Sequence, residues 1–135
     1  MGITGTRTTL PWDQLMMLKY VMDVVSPEYI RHGDCTGADL MAHTEALSRG
    51  IKCIIHPPEE DRHRAYAQGA WLVNEPKPYL QRNKDIVSRS DLLVALPMTM
   101  EEERRSGTWS TVRVARHKEM PIYIVYPNGE LKKEG

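Results

Sequence analysis

The chain has 135 residues, the length of one domain with enough apolar side chains to bury a core, and we expect a single domain over residues 1–135. Its 18 Lys and Arg residues equal its 18 Asp and Glu residues, which argues against a general polyanion binder but allows a local basic pocket. No run of about 18 apolar residues occurs, which excludes a membrane-spanning helix. The sequence has no signal peptide pattern and its two cysteines make no disulfide framework, so we expect a cytoplasmic protein with free thiols.

The first half of the chain alternates short apolar runs with helical patterns. Residues 2–5 suit a first strand, and residues 11–25 suit a helix because apolar side chains recur at helical spacing. A second strand is expected over residues 29–32, a second helix over 38–49 and a third strand over 51–56.

The second half begins with a segment that has no clear period. Residues 59–81 combine a charged run with helix-breaking prolines, and we expect a long, partly helical excursion, a kind of segment that is often functional. The remaining predicted elements are a short helix over 82–90, a buried strand over 91–96, a helix over about 112–118, a strand over 121–126 and a polar tail over 131–135.

The alternation of strands and helices predicts an α/β fold, a three-layer sandwich in which a mainly parallel sheet of about five strands is flanked by helices. In such sheets ligands bind beyond the carboxyl ends of the strands. Three loops lie at such ends, Gly5 to Thr9, Gly33 to Gly37 and Pro97 to Thr111, and all carry glycine and hydroxyl side chains. They predict one pocket in which the backbone approaches a ligand closely.

The third loop contains Ser106-Gly107-Thr108, which opens a predicted helix. Free backbone N–H groups and the helix dipole favour an anion there, although the same residues also suit a simple helix cap. Arg7 in the first loop has the planar guanidinium that suits a phosphate. Arg82 is interpreted either as a second phosphate contact or as a partner of Asp85.

Other candidate residues each allow two interpretations. Asp39 either stabilises the helix that it begins or binds a ribose hydroxyl. Cys35 lies near a helix start, where a thiol pKa is lowered, but a plain small residue is the simpler interpretation. Trp109 either belongs to the core or stacks on a base. The five histidines show no metal-binding spacing, and we expect neither a metal nor another cofactor.

Three motifs resemble those of YspA-like proteins in the SLOG superfamily. The segment Gly33 to Asp39 is similar to their glycine-rich turn and Gly-Ala-Asp helix start, and Arg82 to Ala95 to their Arg-Asn helix and the strand after it. Ser106-Gly107-Thr108, with Ala115-Arg116, resembles their closing motif. The superfamily has Rossmann-like folds, includes the lonely-guy (LOG) phosphoribohydrolases and the DNA-processing protein DprA, and has frequent stand-alone members in phages. The likeness covers residues 3–126.

The resemblance implies a small nucleotide or nucleotide-derived ligand, ADP-ribose-like or a cyclic nucleotide, held by a sensor or sequestering module. The predicted ligand-binding residues are Gly5, Thr6, Arg7, Gly33, Cys35, Thr36, Gly37, Asp39, Arg82, Asn83, Pro97, Ser106, Gly107, Thr108, Trp109 and Thr111.

An enzymatic alternative remains open, namely an N-glycosidase or phosphoribohydrolase acting on a nucleoside monophosphate. Where the LOG enzymes have a glutamate this chain has Thr111, which cannot serve as a carboxylate acid or base. Asp39 and Glu103 are the candidate replacements. DprA-like binding of single-stranded DNA is a further alternative, which the neutral charge weakens. We also expect a homo-oligomer, for which the Met-rich helix over residues 11–25 is a candidate surface, although packing in the core explains its methionines equally well.

Overall fold

The computed structural model describes residues 1–135 and contains seven strands and four helices. In chain order these are β1 (Gly2–Gly5), α1 (Trp12–Val25), β2 (Tyr29–His32), α2 (Ala38–Ser48), β3 (Lys52–Ile55), β4 (Leu72–Val73), α3 (Tyr79–Ser88), β5 (Leu93–Leu96), α4 (Gly107–His117), β6 (Ile122–Val125) and β7 (Leu131–Glu134). None of the helices has the length and apolar character needed to cross a membrane.

All strands form one sheet in the order β4-β3-β2-β1-β5-β6-β7, and every pair except β6 with β7 is parallel. The chain runs outward from β1 in one direction through β2 and β3, then returns to β5 on the other side of β1. Its carboxyl ends at β1 and β5 therefore form a topological switch point, where open parallel sheets leave a crevice. The Rossmann-like α/β prediction is confirmed.

The sheet has two more strands than the five expected, and both lie at its edges. β4 has only two residues, Leu72 and Val73, within the 59–81 segment, and β7 lies in the polar tail. Edge strands have one free side and need no continuous apolar run, so neither one carried the pattern of a buried strand.

The helices cover both faces of the sheet. Leu18, Val21 and Met22 of α1 pack with three alanines of α2 in a core cluster on one face. On the other face, Val87 of α3 packs with Trp109, Val112 and Ala115 of α4. The apolar strands β5 and β6 contribute side chains to both clusters, as their near-continuous apolar sequence predicts.

The 59–81 segment is mostly irregular, and its only helical residues are 79–81. Buried Asp34 holds it: the carboxylate accepts from Arg64 Nε at 3.0 Å and Ala67 N at 2.9 Å, and the carbonyl accepts from Ala65 N at 2.7 Å. These bonds fix the segment beside the end of β2. The predicted partly helical excursion is therefore corrected to a mostly irregular segment, which Asp34 holds beside β2.

Candidate functional site

A cavity of 680 Å³ opens at the carboxyl ends of β1, β2 and β5. It contains most of the predicted site: Gly5, Thr6, Arg7, Gly33, Cys35, Asp39, Arg82, Asn83, Glu103, Ser106, Gly107 and Thr108 all line it. The structure adds Thr4, Thr8, Tyr79, Leu80, Met98, Arg104, Arg105, Ser110 and Arg113, among others. The 59–78 stretch contributes no residue to the lining, so it does not close over the three loops.

The start of α4 presents free donors to this cavity. Ser106 caps the helix, since its Oγ accepts from Trp109 N at 3.3 Å. The backbone N–H groups of Gly107 and Thr108 donate to no group of the chain. A Cβ added at Gly107 would meet nothing within 4 Å, so the chain itself does not require glycine there. The helix start thus combines a cap with two unsatisfied donors and open space, the arrangement that suits an anion.

Arg82 is a buried cation that joins three elements. From α3, its Nη1 donates to the Gly33 carbonyl at 2.6 Å and to the His56 carbonyl at 3.2 Å, while its Nε donates to Asn83 Oδ1 at 2.8 Å. The interpretation that Arg82 pairs with Asp85 is wrong, because Asp85 pairs with Lys77 at 2.8 Å. Arg82 therefore fixes the ends of β2 and β3 and also brings a positive charge to the cavity wall.

Asp39, in the first turn of α2, is a buried carboxylate at the cavity. Its Oδ2 accepts from the N–H groups of Gly33 at 3.0 Å and Cys35 at 3.3 Å, whereas its Oδ1 has no partner. Burial raises the pKa of Asp39 to about 6, although the charge of nearby Arg82 and the two backbone bonds oppose that shift. Asp39 is therefore a carboxyl group of the cavity whose protonated form is favoured by burial.

The first two loops are packed together, which explains why Thr36 and Gly37 do not line the cavity. Thr36 Oγ1 donates to the Arg7 carbonyl at 3.0 Å, and Ala38 N donates to the Thr6 carbonyl at 2.9 Å. A Cβ at Gly37 would come within 2.5 Å of backbone atoms of residues 6–8, and its φ of +82° is also one that other residues rarely adopt. Thr36 and Gly37 thus make contacts between the first two loops and lie outside the cavity lining.

Three further predicted residues lie away from the cavity. Trp109 is 2% exposed within the core of α4, so its ring has no face open to a base. The Thr111 hydroxyl donates to the Gly107 carbonyl at 3.0 Å inside the helix. The Pro97 carbonyl accepts from buried Gln14 Nε2 at 2.8 Å, a bond that fixes the end of β5. The cavity lining thus does not include Trp109, Thr111 or Pro97, which pack in the structure around it.

Cys35 lines the cavity, but its chemistry differs from that suggested by its place near a helix start. Burial raises the pKa of the Cys35 thiol, and the neighbouring Asp39 charge raises it further. The helix effect is outweighed because the thiol is enclosed beside a carboxylate. Cys35 is therefore a small buried residue rather than an activated nucleophile.

The outer wall of the cavity is the 98–106 loop. Arg113 of α4 donates to Glu102 at 2.9 Å and to the carbonyls of Glu103 and Arg104. Arg116 bonds the same Glu102 at 2.8 Å and Glu134 of β7 at 2.9 Å. The Glu101 to Arg105 run is thus held against α4 by side-chain bonds.

Several cations at the cavity have no acidic partner. Arg7, Arg104 and Arg105 line it and form no ion pair within the chain. The Tyr79 ring lies between two of the site's guanidinium groups, 5.4 Å from that of Arg7 and 5.1 Å from that of Arg82. The cavity is therefore locally basic although the chain as a whole is neutral. Sequence reasoning missed Tyr79, although its position three residues before Arg82 on a helix places the two side chains on one face.

A pair of buried histidines ties the second loop to the 59–81 segment. His43 Nε2 lies 2.7 Å from the Gln68 carbonyl, which can only accept, so His43 Nδ1 accepts from His32 Nε2 at 2.8 Å. His32 Nδ1 in turn accepts from Asp34 N at 2.9 Å. Burial, and after it the electrostatic effects of His43, His56 and Arg82, lowers the pKa of His32 to about 3. No group of three or more His, Cys, Asp or Glu side chains is arranged to hold a metal ion.

Two solved structures share this fold. The molybdenum cofactor binding protein from the phototrophic bacterium Rippkaea orientalis superposes with a TM-score of 0.71 over 93% of this chain and 74% of its own, at 18% identity. The X-ray structure of TM1055, a structural genomics target, gives a TM-score of 0.62 over 90% of this chain and 71% of its own, at 11% identity. No family model and no curated protein matches the sequence. At these identities the likeness concerns the fold.

Proposed function

We propose that the protein binds a small phosphate-bearing ligand of the nucleotide or nucleotide-derived class in the 680 Å³ cavity. The observation that carries this proposal is the meeting of two free N–H groups at the start of α4 with unpaired arginines at the β1–β5 switch point. Phosphate would bind Gly107 and Thr108 N–H, with Arg7 and Arg105 supplying charge.

The shared fold supports a small-molecule ligand and membership of the SLOG superfamily, which the three sequence motifs motivate. One protein with this fold is a molybdenum cofactor binding protein, so that cofactor belongs in the ligand screen beside ADP-ribose, AMP and cyclic nucleotides. The role that we propose is that of a sensor or sequestering module, because the carboxylate of the hydrolytic relatives is replaced by Thr111 inside a helix.

The experiment is a thermal-shift screen followed by calorimetry with the ligands that respond. A ligand at a hundredfold excess over its Kd stabilises the folded protein by about 2.7 kcal/mol. Arg7→Ala and Arg105→Ala should each weaken binding about tenfold, because each removes a charge-assisted bond. Arg62→Ala is the matched control, since Arg62 is an exposed arginine outside the cavity. Equal weakening by all three variants would show that only general charge matters and would reject the site.

Hydrolysis of an N-glycosidic bond remains a second candidate because of Asp39. A cavity carboxyl with a pKa of about 6 is suited to exchange a proton near neutral pH. Incubation with AMP and chromatography for free adenine tests this. Asp39→Asn should abolish release, whereas Glu103→Gln should not, because Glu103 is exposed and bonded by Thr99 Oγ1. If the unaltered protein binds AMP but releases no adenine, hydrolysis is excluded and the sensor role stands.

A further inference from the structure

A second cavity, of 170 Å³, lies at the end of β3 and start of the β4–α3 connection. It is lined by one proline and seven polar or charged residues, namely His56, Pro57, Asn74, Glu75, Lys77, Arg82, Asp85 and Arg89. Arg82 lines this cavity as well as the main one, so its guanidinium forms a shared wall. The cavity has room for about five waters at about 30 Å³ each, which also suits a five-atom oxyanion.

The side of this cavity formed by His56 presents a donor without an acceptor. Arg31 Nη1 lies 3.2 Å from His56 Nε2, and because arginine can only donate, Nε2 accepts and the ring proton is on Nδ1. His56 Nδ1 lies 3.5 Å from Asn74 Nδ2. That nitrogen is itself a donor, held in place by the Ile55 carbonyl at 3.2 Å. The N–H groups of His56 Nδ1 and Asn74 Nδ2 therefore face each other, and His56 is only 4% exposed.

The charge around this donor is positive. Lys77 and Asp85 neutralise each other at 2.8 Å, which leaves the guanidinium groups of Arg82 and Arg89 against the single carboxylate of Glu75 in the lining, a net charge of +1. Arg89 forms no ion pair, and buried Arg82 donates to two carbonyls, to the Asn83 amide oxygen and to Cys35 Sγ at 4.0 Å. Burial and the nearby Arg31 charge lower the pKa of His56 to about 4, so the ring is neutral. A neutral N–H donor in a lining that carries one excess positive charge is suited to an anion rather than a cation.

We propose that this second cavity binds a phosphate-sized oxyanion, which accepts hydrogen bonds from His56 Nδ1–H and Asn74 and neutralises Arg89. The ligand is a tetrahedral dianion, either free inorganic phosphate or the terminal phosphoryl group of a monoester. The site is separate from the α4 helix start and does not depend on the function proposed for the main cavity.

The test follows the His56 ring by proton–nitrogen NMR while sodium phosphate is added, with sodium chloride at equal ionic strength as the reference. Inorganic phosphate should shift the His56 ring signals saturably and chloride should not. Arg89→Gln should weaken this response about tenfold, since it removes the free charge while the exposed guanidinium has no contact to lose. A ribose 5-phosphate arm compares the monoester with the free anion.

Arg105→Gln is the matched control, because Arg105 is an exposed, unpaired arginine that lines only the main cavity. The proposal holds if Arg105→Gln leaves the His56 response within twofold of the unaltered protein. It is overturned if phosphate gives no saturable shift at millimolar concentration. It is equally overturned if Arg105→Gln weakens the response as much as Arg89→Gln, because His56 would then report an anion in the main cavity through Arg82.

Discussion

The Arg82 bonds give a prediction for Gly33. A Cβ added at Gly33 falls on the Arg82 guanidinium, and Gly33 does not have the positive φ that would itself forbid alanine. Gly33→Ala must therefore displace a buried cation from the carbonyls of Gly33 and His56. A hydrogen bond to a charged group contributes about 1.5–3 kcal/mol, so losing one of the two bonds and weakening the other lowers the free energy of unfolding by about 2–4 kcal/mol.

The assay is thermal and urea unfolding of Gly33→Ala beside Gly107→Ala. For a chain of this length about 1 kcal/mol corresponds to about 4 °C, so Gly33→Ala should lower Tm by about 8–16 °C. Gly107→Ala should change stability by less than about 1 kcal/mol, because its Cβ meets nothing within 4 Å and alanine suits a helix. The double variant Gly33→Ala with Arg82→Met should lose less than the sum of the two single losses. A Tm for Gly33→Ala that equals that of Gly107→Ala would refute the reasoning.

Three other predictions follow. The pKa of Asp39 is raised on folding, so its contribution to stability grows as pH falls from above 6 towards 4; urea unfolding at pH 7 and pH 5 should show this gain in the unaltered protein but not in Asp39→Asn. Nitrogen NMR at pH 5 should find His32 neutral and protonated at Nε2. An imidazolium at His32 would contradict the hydrogen bonds that join Asp34 N, His32 and His43. The homo-oligomer stays a prediction: Trp12, Tyr20 and Val24 are 71%, 57% and 62% exposed on α1, spaced by eight and then four residues, and light scattering should show dissociation in Tyr20→Glu and no change in Tyr66→Glu.

The sequence predicted the elements whose side chains are buried. The run before Pro97 is apolar throughout and became the fully buried β5, and α1 follows its apolar period to within a residue. β7 could not be predicted in this way, because its exposed lysines reflect a strand paired on one side only. Patterns of burial are visible in sequence, whereas an edge strand is defined by its partner.

The sequence predicted the location of the site more accurately than it predicted which residues line it. Glycines after strands located the loops, but Gly37 and Thr36 serve loop packing, and Trp109 serves the core. Glycine marks any close approach of backbone, whether the neighbour is a ligand or another loop. Arg82 bonds the carbonyls of Gly33 and His56, which are 49 and 26 residues away in the chain. These bonds depend on the folded sheet, and no local spacing could reveal them.

The docking of the second loop on the first at Gly37 has a consequence for how strictly the cavity selects its contents. That wall is held by backbone contacts between the two loops. It therefore loses almost no conformational entropy when a ligand binds against it. The facing 98–106 wall is held by the side chains of Arg113 and Arg116, which can exchange partners. We expect the part of a ligand that meets the first wall to be recognised as a rigid shape, and chemical variety to be tolerated on the second.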